Sequence, residues 1–162
     1  MKQLEFSNQA SWDHFVELVH SVLATDGVAL ISHFAPDDNN TLLVRLANIL
    51  NILPEKHRLT LQECRFPAPF GAVAILYLVG GNMRIRYNRL EVDRAASVAK
   101  VALTPRQCAA LDSLDDAIEA TQLRFHLKQA ECLVMDNHRV LHGRTPLSPH
   151  SDRLLKRVRL SL

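Results

Sequence analysis

A chain of 162 residues, 48% apolar and 22% charged, is long enough for one domain with a buried core and has the composition of a soluble globular protein. Its longest apolar run, Ala72 to Val79, is far too short to cross a bilayer, so no membrane segment is expected. A net charge of +2 with 6% aromatic residues speaks against a nucleic-acid partner, and three scattered cysteines, Cys64, Cys108 and Cys132, speak against a disulfide framework or a zinc site.

Met1 to Glu5 lack the apolar core and cleavage site of a secretory signal, which leads to an expected cytoplasmic location. The cysteines then read as reduced, buried and structural. Between Asn8 and Thr25 the residues Trp12, Phe15, Val16, Val19, Val22 and Leu23 recur at helical spacing, with Gly27 as a stop. Val28 to Ile31 reads as a short strand. Asp37-Asp38 offers capping oxygens to a second helix carrying Leu42, Leu43, Leu46, Ile49, Leu50 and Leu53.

From Leu59 the pattern turns to strands: Leu59 to Phe66, Ala72 to Leu78, and Met83 to Tyr87, punctuated by Pro67, Pro69 and Gly80-Gly81. Thr104-Pro105-Arg106-Gln107 has the form of a capping box with proline at the first helical position, so a helix begins there and runs through Leu111, Leu114, Ala117 and Ile118. Asp115, Asp116 and Glu119 read as its solvated face. Leu123 to Leu127, Glu131 to Met135 and Leu154 to Leu160 read as three further strands. Ala72 to Leu78, as an apolar strand edge, is expected to support pairing into a homo-oligomer.

The end of the chain is basic: Arg139, Arg144, Arg153, Lys156, Arg157 and Arg159 face a single acid, Asp152, which favours anions. Within it stands Asp136-Asn137-His138-Arg139-Val140-Leu141-His142-Gly143-Arg144-Thr145-Pro146, followed by Asp152-Arg153-Leu154-Leu155-Lys156-Arg157. This D-N-x-R-x-x-H-G-R-x-P stretch with its later Arg-x-x-x-Arg pair resembles the end of the iron(II)/2-oxoglutarate-dependent oxygenases of the taurine dioxygenase and clavaminate synthase type. Glu131 to Met135 looks like the strand leading into their distal iron ligand.

The resemblance implies an α+β fold: a partial double-stranded β-helix, or jelly roll, with flanking helices. It implies one domain over 1–162, made of a helix-strand-helix over 1–53 and the second half of the jelly roll with an inserted helix over 59–162. It implies Fe(II) and 2-oxoglutarate as cofactors and a small molecule, such as an amino acid or related metabolite, as substrate. His142 matches the second iron-binding histidine. Arg153 matches the guanidinium that clamps the cosubstrate's distal carboxylate, with Arg157 second. A neutral imidazole suits Fe(II), and a guanidinium fork gives a carboxylate two parallel charge-assisted hydrogen bonds.

In that family the first histidine and the carboxylate come upstream as His-x-Asp or His-x-Glu. None of His14, His20, His33, His57 and His126 is followed two residues later by an acid. The literal pair His150-Ser151-Asp152 comes after His142 instead. An internal deletion is expected between Leu53 and Leu59. The alternatives are a non-catalytic, anion-binding and dimerising remnant of the same fold, or an oxygenase completed by His150 and Asp152 or by a second subunit.

Overall fold

The computed structural model describes residues 2–4, 12–31, 40–69, 71–126 and 132–144. It mixes helix and sheet, and its described residues divide into two compact units. Unit 1 draws on residues 1–42, 124–136 and 142–162, and unit 2 on Leu43–Leu123 and Asn137–Leu141.

In unit 1 a strand β1 (Lys2–Leu4) and a helix α1 (Trp12–Asp26) precede β2 (Val28–Ile31). Gly27, at φ 73°, sits in the left-handed region that stops a helix, and its N–H bonds the Leu23 carbonyl at 3.0 Å. β1 lies parallel to β2, the arrangement a helical crossover permits. On the other side of β2 runs β9 (Cys132–Met135), antiparallel, with Val28 opposite Met135 and Ile31 opposite Cys132.

Unit 2 holds the main core. Its elements are α2 (Leu46–Ile52), α3 (Glu55–Glu63), the hairpin β4 (Phe66–Ala68) and β5 (Gly71–Val73), the hairpin β6 (Leu76–Val79) and β7 (Asn82–Ile85), α4 (Arg89–Ala99) and α5 (Pro105–Thr121). Ile49, Leu61, Phe66, Leu76, Ile85, Ala110, Leu111 and Leu114 are fully buried together, each aliphatic side chain contributing roughly 1.5–3 kcal/mol of transfer free energy. Gly80 and Gly81, at φ 56° and 78°, form the two-residue turn of the β6–β7 hairpin, a conformation that side-chain-bearing residues rarely adopt. Three more strands, β3 (Asn40–Arg45), β8 (Leu123–His126) and β10 (Val140–Arg144), form a sheet in the order β10-β3-β8.

Several expectations need correction. Leu59 to Phe66 is not one strand: the chain is helical through Glu63 and extended only from Phe66. The Thr60 hydroxyl donates to the Lys56 carbonyl four residues earlier at 2.8 Å, and the Cys64 N–H bonds the Thr60 carbonyl at 3.0 Å, both helical spacings. The segment between Leu53 and Leu59 passes from α2 straight into α3, with Pro54 as the cap. Residues 40–45 are strand, and the second helix begins only at Leu46, because the short apolar run Leu42-Leu43-Val44 has no period that separates strand from helix.

Ala72 to Leu78 is also two strands. β5 pairs with β4, Phe66 opposite Val73, and β6 pairs with β7, Leu76 opposite Ile85. Between them Ile75 donates to the Leu61 carbonyl at 3.1 Å and accepts from Arg86 at 2.9 Å. Cys64 and Cys108 are free thiols but half-buried. The sequence pattern does not predict α4 or the strands β1, β3 and β10. Among the described residues no helix is long and apolar enough to cross a membrane.

Candidate functional site

The Asp136 to Arg144 motif follows a strand and forms a turn and a second strand: β9 ends at Met135, residues 136–139 turn, and β10 begins at Val140. In unit 1 the Asp136 N–H bonds the Gly27 carbonyl at 2.8 Å, which ties the start of the turn to the end of α1. In unit 2 the His138 carbonyl accepts from Ile85 N–H and the Arg139 carbonyl from Leu46 N–H, both at 2.8 Å. The turn is thus held in part through its backbone.

One of the turn's side chains has a partner that sequence spacing gives no way to find. The His138 Nδ1 lies 2.7 Å from the Tyr77 hydroxyl, and the two rings meet edge to face with centroids 6.3 Å apart. Tyr77 is on β6, sixty-one positions earlier in the chain.

Along β10, Val140 is buried and His142, two positions further on, is exposed. Gly143 follows, and a Cβ built there would stand 3.7 Å from the Leu42 side chain, an ordinary contact. His142 can therefore offer an imidazole from a strand. Arg153 and Arg157 lie outside the described residues, as do His150 and Asp152.

Iron of the kind the resemblance implies needs three protein ligands on one face. Among the described residues no group of three or more His, Cys, Asp or Glu side chains is disposed to hold a metal ion. The described residues do not complete an iron site.

A second polar cluster, in unit 2, joins the region after β7 to α5. The Tyr87 hydroxyl donates to Asp115 Oδ1 at 2.5 Å, and Arg89 donates to Asp115 Oδ2 at 2.8 Å, to Asp112 at 3.0 Å and to Asp93 at 3.2 Å. Burial pushes the Tyr87 phenol well above the usual tyrosine range, and the Asp115 carboxylate that accepts its proton adds to the shift. Asp115 is accordingly half-buried and paired, not part of a solvated face.

No curated protein matches the chain significantly. Among solved structures it is similar to an asparagine oxygenase in complex with Fe(II), 2S,3S-3-hydroxyasparagine and succinate, at 20% identity and a TM-score of 0.61 over 77% of this chain and 41% of that one. It is also similar to the non-heme iron oxygenase OrfP in complex with Fe and alpha-ketoglutaric acid, at 20% identity and a TM-score of 0.55 over 77% of this chain and 40% of that one. The same oxygenase with Fe and L-Arg gives a TM-score of 0.54 at 21% identity. At such identities the likeness concerns the fold, and the chain spans about two-fifths of the length of these structures. The model of one protein family, the taurine catabolism dioxygenases TauD/TfdA, matches residues 55–159, a span that runs from α3 through the strand-turn-strand motif around His142. Fold likeness and family match agree, and the chain belongs to the TauD/TfdA dioxygenase family.

Proposed function

We propose that the chain carries the cosubstrate-binding half of an iron(II)/2-oxoglutarate-dependent dioxygenase that hydroxylates a small molecule such as an amino acid or related metabolite. The observation that carries the reading is the family match over 55–159, with His142 on β10 directly after the motif turn. In this reading His142 is the distal iron ligand, Arg153 clamps the distal carboxylate of 2-oxoglutarate, and Arg157 assists. Strand alternation supports the pair, because positions four apart share a face of a strand. The fold is read as part of a double-stranded β-helix within a single domain, and the location as cytoplasmic. Solved relatives in fold that hold iron with alpha-ketoglutaric acid or succinate support the cofactor assignment.

When bound, the metal with 2-oxoglutarate would supply the oxidising chemistry, and this chain's own part would be to bind and orient the cosubstrate. Upstream of His142 the chain carries no His-x-Asp or His-x-Glu pair. That specific feature favours a second reading, a non-catalytic module that keeps the anion-binding arginines.

Calorimetric titration of 2-oxoglutarate tests the assignment of the clamp. Arg153→Lys keeps the charge but loses the fork, so binding should weaken by about tenfold, while Arg157→Lys should weaken it less. Binding that survives Arg153→Lys and vanishes in Arg157→Lys would overturn the assignment.

A further inference from the structure

Unit 2 contains an open groove of about 800 Å³ between the β4–β5 hairpin, α4 and the start of α5. Its walls are mostly aliphatic, with Pro67 and Ala72 from the hairpin, Val98 from α4 and Val101 from the segment after it. Val98 and Val101 are 77% and 53% exposed, so this end of α4 turns an apolar face to the groove and not into the core. The volume falls in the range of small-molecule sites, roughly 300–1,000 Å³.

The polar groups on the wall are few: Arg65, Glu91, Arg94 and Gln107. Gln107 is engaged, its Nε2 donating to the Arg65 carbonyl at 2.9 Å. The guanidiniums of Arg58, Arg89 and Arg106 each meet a carboxylate. Among the described residues neither the Arg65 nor the Arg94 guanidinium has an ion-pair or hydrogen-bond partner. Two unpaired cations against one carboxylate, beside an apolar wall, select for a ligand that is negative at one end and apolar along the rest.

We propose that this groove binds an amphipathic monocarboxylate, with its acyl chain against Val98, Val101 and the β4–β5 hairpin and its carboxylate at Arg65 and Arg94. A small dicarboxylate suits it poorly, since the aliphatic walls leave the second charge without a partner. A docked peptide helix suits it less as well. It needs a continuous apolar stripe, and on the outer row of α4 the exposed Leu90 and Val98 are separated by Arg94. The site lies within unit 2 and is independent of the iron and 2-oxoglutarate assignments.

Decanoate titrated into the full chain, followed by calorimetry and amide chemical-shift mapping, provides the test. Saturable binding is expected, with shifts centred on Ala68, Ala72 and Val98. The double variant Arg65→Gln/Arg94→Gln should bind about tenfold more weakly or worse, and decanol should fall short of decanoate by a similar factor. Val98→Asp, placed where the side chain is already exposed and folding is spared, should remove binding. No saturable binding would overturn the proposal. So would equal affinity for decanol and decanoate, indifference to Val98→Asp, or an acidic amphipathic peptide that occupies the groove where decanoate does not.

Discussion

The Tyr87 phenol sits just after β7, where burial and the Asp115 carboxylate both favour the protonated form. Its proton is therefore held more tightly in the folded chain than in the unfolded one, whose tyrosines titrate near the ordinary value of about 10. Stability from this group is fully present below about pH 10 and is lost as pH rises above it, toward the raised folded-state value. In wild type the urea midpoint should fall steeply through that window. Tyr87→Phe should lower stability by about 1 kcal/mol at neutral pH, through the lost hydrogen bond, and should fall less steeply at alkaline pH. Equal alkaline slopes in the two proteins would show that Tyr87 does not carry the effect. Nothing in the sequence announces this contact, because Tyr87 and Asp115 are twenty-eight positions apart and belong to separate elements. His142, by contrast, is legible as a single residue, since its neighbours Asp136 to Pro146 form one uninterrupted motif.

At the scale of elements, α5 shows what sequence can specify locally. Thr104 Oγ1 accepts from the Gln107 N–H at 3.2 Å, and the Gln107 side chain accepts from the Thr104 N–H at 2.9 Å, the reciprocal pair expected from Thr104-Pro105-Arg106-Gln107. Thr104→Ala should cost roughly 0.5–2 kcal/mol, read as a lowered denaturation midpoint with unchanged slope. An unchanged midpoint would remove the cap from the stabilising interactions. Gln107 also reaches across to the Arg65 carbonyl, so one side chain both caps α5 and fastens the approach to β4. The elements that sequence misreads are those whose pattern comes from tertiary packing. α4 buries only Val92 while Leu90 and Val98 face outward, so it lacks the apolar stripe that marks a helix. α3 begins at Glu55 behind Pro54, and its Leu59-Thr60-Leu61 alternates for too few residues to mean strand.

At the scale of the molecule, the family is legible because its most specific residues are contiguous, on a strand-turn-strand that a short sequence window covers. The iron centre is a different kind of object, since its ligands come from separated strands and only folding brings them together. The proposed reading takes His142 from this chain for it, no His-x-Asp or His-x-Glu stands upstream, and the described residues assemble no three-ligand group. One imidazole with water holds Fe(II) weakly, so metal affinity should report directly on whether the centre is complete. The decisive measurement is iron content after anaerobic loading with Fe(II) and removal of free metal by gel filtration, in wild type and His142→Ala. The account predicts far less than one iron per chain in both proteins. One tightly held iron per wild-type chain, lost in His142→Ala, would contradict it.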